Sequence, residues 1–255
     1  MPVFSAEKVS DWFDKYTDEF KVNGELPKML AMKKRHSQRV CEYECAIRES
    51  MEWDEFGDGW LAYAAGLLHD VGRFPQYQKY ETFLDSASVD HGDESERILA
   101  ERFDWECVPA PMKETLLAAV KYHNKLEIPT SLSLVTYRWC AATRDADKID
   151  IFHMVQSRID NGTIFDMLPR HRQYEGLTPE LVDEIRESGR GSYRHAKSLQ
   201  DYRLIQLTWG CDLNFPVSVV TLQSEGMFEK IAEDLKPYHI DDLVSSLLKR
   251  IDAIV

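Results

Sequence analysis

Residues 60–74 read WLAYAAGLLHDVGRF, and the fold turns on how this stretch is read. Leu61, Ala64, Ala65 and Leu68 recur at helical spacing, which predicts a short apolar helix running into His69-Asp70-Val71-Gly72. Gly72 is placed to stop that helix. The apolar part, 60–68, is far too short to span a bilayer. His69 and Asp70 close an apolar helix, where a buried carboxylate needs a cation or several donors to stay charged.

The flanking segments show the same period. The stripe Met32, His36, Val40, Tyr43, Ile47, Met51 spans about five helical turns. A segment opening at Pro111, a residue that suits a first turn, carries Met112, Leu116, Ala119, Val120 and His123. The longest pattern covers 131–157, with Val135, Trp139, Ala142, Ala146, Ile149 and His153 on one face. Gly57–Gly59, Phe74–Ser88 and Lys125–Pro129 read as loops. Two-residue alternation is scarce outside VSVVTL at 217–222, and no repeat, low-complexity run or flexible linker interrupts the chain. The pattern predicts an all-α protein.

His36 and His123 occupy apolar-stripe positions and so point inward. One inward histidine is ordinarily a core residue satisfied by a carbonyl. Several inward His and Asp groups on separate helices are harder to accommodate, since each unpaired one costs roughly 1–3 kcal/mol. A metal resolves that cost collectively. Imidazole and carboxylate suit Mn, Fe, Co, Ni or Zn, and Mg where water and carboxylate dominate. Helical folds commonly build such sites from facing helices.

The order His36 … His69-Asp70 … Asp147 resembles the H…HD…D signature of the HD superfamily of metal-dependent phosphohydrolases. LLHDVGRF at 67–74 resembles the central motif of that family, and DADKID at 145–150 its closing segment. The resemblance covers residues 30–155. It implies a single helical HD-domain bundle over 31–157, with a helical segment, 1–30, packing on it and a C-terminal helical extension over 158–255. Periodicity does not choose between Asp145 and Asp147 as last ligand; the family pattern selects Asp147, directly before a basic residue. Some branches hold a second metal with two further histidines, for which His91 and His123 stand in the right order. The bland readings are a helix cap for His91 and a packed core residue for His123.

What the resemblance implies for chemistry is hydrolysis of a small phosphate ester or nucleotide by water activated on one or two divalent ions per chain. Asp70 would ligate metal and orient that water. Arg73 is the leading candidate for gripping the substrate anion, with Lys148 next. Two other readings stand beside this one. A minor branch uses the same six ligands to hold two irons and react with O₂, and some HD modules only sense a ligand. Sensing copies usually lose the HD dipeptide or the last aspartate, and this chain keeps both. HD proteins also often pair through helical faces, which makes a homodimer the association to test.

A formal charge of −13 argues against a nucleic-acid polymer or an anionic membrane as bulk partner, although a bound metal reverses the field locally. MPVFSAEKVSDWFDKYTDEF at the start contains no apolar signal core. Five cysteines, odd in number and without CxxC spacing, suggest a reducing compartment, and the expected location is cytoplasmic. Cys41 and Cys45 are four apart on a helix but make a poor metal site. The run Lys33-Lys34-Arg35 beside His36 reads as a solvated helix face, with phosphate steering as the alternative, and SGRGSYRHAK at 188–197 as an exposed loop, with a lid over substrate as the alternative. His153, His171, His195 and His239 show no partner pattern.

Overall fold

The computed structural model describes residues 5–53, 59–168 and 174–255. Among them no strand forms, only an isolated bridge between Val22 and Glu25, so the protein is all-α. The chain divides into two compact units, Met1–Asp150 and Ile151–Val255.

In the first unit the central element is α3 (Trp60–Leu68), in which every residue but Tyr63 is buried. It packs against α1 (Ala6–Asp18), α2 (Lys28–Ser50) and α6 (Ala110–Tyr122). Gly66 sets the approach to α2, because a Cβ there would stand 2.5 Å from the Cys41 Cα. On α2, His36, Val40 and Ile47 of the expected stripe are buried, whereas Met51 lies just past the helix end and is 38% exposed. Ser37, Cys41 and Glu44 widen the buried face instead.

α1 and the residues just after it cover the HD turn with aromatic rings. Phe13, Tyr16 and Phe20 all meet Phe74 edge-on or tilted, and the Tyr16 hydroxyl donates to the Val71 carbonyl at 3.0 Å. Phe74 belongs to α4 (Arg73–Tyr80), so part of the expected Phe74–Ser88 loop is helical. Pro75 sits in the first turn of α4, where a missing N–H costs little. Gly72 is not the helix stop it was expected to be. The helix ends at Leu68, Gly72 has an ordinary φ of −64°, and it precedes α4. What requires glycine there is space: a Cβ would lie 2.6 Å from the His91 carbonyl oxygen and 2.8 Å from the Ser95 nitrogen.

After a 3₁₀ turn at Asp85–Ala87, α5 (His91–Arg102) is capped by Asp90, which accepts from the Gly92 and Asp93 N–H groups. α5 packs on α6, and α7 (Leu134–Asp160) carries the expected long pattern.

The second unit contains α8 (Ile164–Met167), α9 (Pro179–Ser188), α10 (Leu199–Gly210), α11 (Pro216–Ser224), α12 (Met227–Leu235) and α13 (Asp241–Asp252). α10 is its buried helix, opened by a Ser198–Asp201 capping box and packed by α12 and α13. Its Arg203, 1% exposed, is satisfied by Asp234, Gln206 and Gln156. VSVVTL lies in α11 and is helical: Pro216 starts the helix, and Ser218, Val219 and Leu222 are buried at helical spacing. His153 pairs with Glu225 and His195 with Glu184, whereas His171 and Gly57 lie outside the described residues. All five cysteines are free thiols. Among the described residues no helix is long and apolar enough to cross a membrane.

Candidate metal centre

Four imidazoles and two carboxylates from different segments of the first unit converge. His36 comes from α2, His69 and Asp70 from the turn after α3, His91 from the first position of α5, His123 from the end of α6, and Asp147 from α7. The histidines and Asp70 are nearly inaccessible; Asp147 retains 18% of its side-chain exposure. His91 is therefore neither a cap nor a surface residue, since Asp90 performs the capping and the ring turns inward.

Each ring is oriented by a partner on its Nδ1. His69 Nδ1 donates to the Gly66 carbonyl at 2.8 Å and His123 Nδ1 to the Val120 carbonyl at 2.6 Å. A carbonyl only accepts, so the neutral forms of both rings carry their lone pair on Nε2. His36 Nδ1 meets Asp150 at 2.6 Å, and His91 Nδ1 meets Asp85 at the same distance. Carboxylates in this position fix both tautomer and angle, as they do behind metal-bound imidazoles generally.

The Nε2 atoms then face one another in two pairs. His36 and His69 are 3.3 Å apart, and His91 and His123 are 3.0 Å apart. Asp70 stands between the pairs. Its Oδ2 lies 3.4 Å from both His36 Nε2 and His69 Nε2; its Oδ1 lies 3.5 Å from His91 Nε2 and 3.7 Å from His123 Nε2. Asp147 Oδ1 joins the first pair, 3.1 Å from His36 and 3.7 Å from His69. Asp145 is also fully buried, but Asp147 is the aspartate that stands at the imidazoles. Lys148 is half-buried beside it on α7.

The charges are mutually dependent. Burial and the nearby Lys33 oppose protonation of His36, yet Asp147, Asp150 and Asp70 together push its pKa up to about 10. Burial, then Arg73, drives His91 down to about 3 against the pull of Asp85, and burial also lowers His69. Burial alone would raise the carboxylates. Lys33 and His69 nonetheless hold Asp70 well below the usual range, and His36 and His69 do the same for Asp147.

This donor set fits a divalent metal. Asp70 Oδ1 is buried without a hydrogen-bond partner, and lone-pair nitrogens meet at distances that are unfavourable unless a cation lies between them. Ligands bound to one ion at about 2.1 Å stand about 3.0–3.4 Å apart, near the separations seen here. His36, His69 and Asp70 form one such group, Asp70, His91 and His123 another, and His69, His123 and Asp147 a third.

A sequence model of the HD domain matches residues 34–161, half of the chain. The chain belongs to the HD-domain family. Searches of curated proteins and of solved structures each returned no match. Within this HD domain, Arg73 is 14% exposed: its Nη1 donates to Asp85, Gln76 and the Phe83 carbonyl, and its Nε lies 3.4 Å from Asp70 Oδ1.

Two residues of the site, Asp150 and Asp85, escaped the sequence reading, and a third, Lys33, was read first as surface. Asp150 shares a face of α7 with Asp147, three residues on, and that spacing was a usable signal. Asp85 lies in a 3₁₀ turn with no period to mark it. Lys33, read as one member of a solvated run, places its ammonium 2.6 Å from Asp70 Oδ2.

Proposed function

We propose that this HD domain is a metal-dependent phosphohydrolase of small phosphate esters or nucleotides, built around two divalent ions that share Asp70. The observation that carries the two-ion reading is the division of the Asp70 oxygens between two imidazole pairs. The reaction class rests on family membership, which is an argument by analogy.

When bound, the ions would polarise a phosphate oxygen and supply an ionised water for attack at phosphorus, with release of the ester alcohol. The chain's own groups do the positioning. His36, His69 and Asp147 would hold one ion, His91 and His123 the other, and Asp70, placed between the two groups, would serve both and orient the water. Asp85 and Asp150 keep His91 and His36 aimed. Arg73 and Lys148 are the proposed substrate contacts, and Arg73 also ties Asp85 to Asp70. The free thiols suit a reducing, cytoplasmic setting.

A second reading is favoured by one feature, the richness of the site in imidazole, which suits iron as well as Mn, Co, Ni or Zn. Two bound irons with O₂ consumption and no phosphate release would make the protein a di-iron oxygenase. The test is a screen of the metal-loaded protein against p-nitrophenyl phosphate, sugar phosphates and nucleotides. Phosphate release that disappears in Asp70→Ala supports the hydrolase; no release from any ester with both ions bound contradicts it.

A further inference from the structure

The basic run at 33–35 divides on folding. Lys34 turns to α1, where it meets Asp14 at 2.7 Å and the Thr17 hydroxyl at 2.9 Å, and Arg35 is exposed. Lys33 alone among the three turns into the centre, one helical turn before His36 and on the same face. Its side chain is 13% exposed, and its ammonium sits 2.6 Å from Asp70 Oδ2, the oxygen that faces His36 and His69.

We propose that Lys33 grips a phosphate oxygen of the substrate at this centre, beside the contacts assigned above to Arg73 and Lys148. The proposal rests on the phosphohydrolase reading and names a contact within it. Access argues for it first. The cluster imidazoles are at most 6% exposed and Asp70 is 2% exposed, whereas Asp147, Arg73 and Lys33, the groups set against Asp70 and the His36–His69 pair, keep 18%, 14% and 13%. Two of those three groups are cations. Arg73 Nη1 is already committed to Asp85, Gln76 and the Phe83 carbonyl, whereas the anion beside the Lys33 ammonium is the carboxylate that the ions would claim.

Charge balance argues the same way. Asp70 and Asp147 together carry two negative charges, fewer than two divalent ions and an ammonium would bring, and an incoming oxyanion supplies part of the missing negative charge. The half-buried Phe83 ring lies 5.7 Å from Lys33 Nζ and 5.7 Å from the Arg73 guanidinium, so it flanks both cations. An ammonium suits this role as a compact, freely rotating point charge.

The experiment measures binding of inorganic phosphate to the manganese-loaded full chain by calorimetry, with metal content determined on the same samples. Lys33→Gln is expected to keep its metal and bind phosphate about ten- to a hundred-fold more weakly, the range for a lost charge-assisted bond, and Lys33→Arg to recover part of the loss. Unchanged phosphate affinity in Lys33→Gln overturns the proposal and leaves the hydrolase reading standing. Loss of metal in both variants overturns it too, because Lys33 would then serve to hold Asp70. If the unaltered protein carries its metal but binds no phosphate, the hydrolase reading falls and takes the proposal with it.

Discussion

Asp85 Oδ2 lies 2.6 Å from His91 Nδ1, and the same carboxylate accepts from Arg73, Gln76 and Asn124. Four donors from three segments, two of them on α4, thus converge on one side chain in a 3₁₀ turn. That carboxylate holds the ring of a proposed ligand from behind.

Asp85→Ala is therefore expected to weaken the second ion far more than the first, by about 10- to 100-fold in affinity. Elemental analysis after dialysis would show the metal count falling from two toward one. Retention of both ions would mean that the Asp85 network only packs the loop.

His91→Ala and His123→Ala should each have the same effect on the count, without disturbing the His36–His69 side. Asp70→Ala should remove both ions and the hydrolytic activity together while circular dichroism keeps its helical signature. A variant at Asp70 that retained full activity would refute the bridging role.

Gly72→Ala places a methyl group 2.6 Å from the His91 carbonyl oxygen and 2.8 Å from the Ser95 hydroxyl that accepts the Gly72 N–H. Backbone cannot give way cheaply, so a loss of about 1–3 kcal/mol is expected. Thermal unfolding would show it as a fall in Tm. An unchanged Tm would show that the α4–α5 contact is looser than the geometry implies.

Glu44 sets a pH dependence away from the centre. Its side chain is fully buried, with one oxygen bonded to the Thr143 hydroxyl at 2.8 Å and the other without a partner. Burial pushes its carboxyl well above the usual 4.5, against the Thr143 bond. The folded state keeps this proton after the unfolded chain has lost it, so above pH 4.5 stability falls with rising pH until the folded carboxyl ionises. The slope is about 1.4 kcal/mol per pH unit. Glu44→Gln should remove that slope and unfold at a higher temperature than the unaltered protein near neutral pH. Parallel pH profiles for the two would contradict the burial of a protonated Glu44.

How much of this was legible in the sequence depends on the distance over which each residue acts. His36, His123 and the HD pair declare themselves because a helix repeats its face, and a polar residue on an apolar stripe is visible without neighbours. His91 and Asp147 needed the order of the family motif, since one sits at a helix start and the other competes with Asp145. Asp85 and Lys33 act across elements, through a loop and a helix–turn contact that no periodicity encodes. Gly72 was read through its local habit, as a stop. Tertiary crowding against α5 explains it instead.

The most direct test of the two-ion centre is the metal content of protein purified without chelator or nickel affinity resin. About two divalent ions per chain, both lost in Asp70→Ala, is the expected result. Absence of bound metal even after reconstitution, or a single ion unaffected by His91→Ala and His123→Ala, would contradict a centre shared through Asp70.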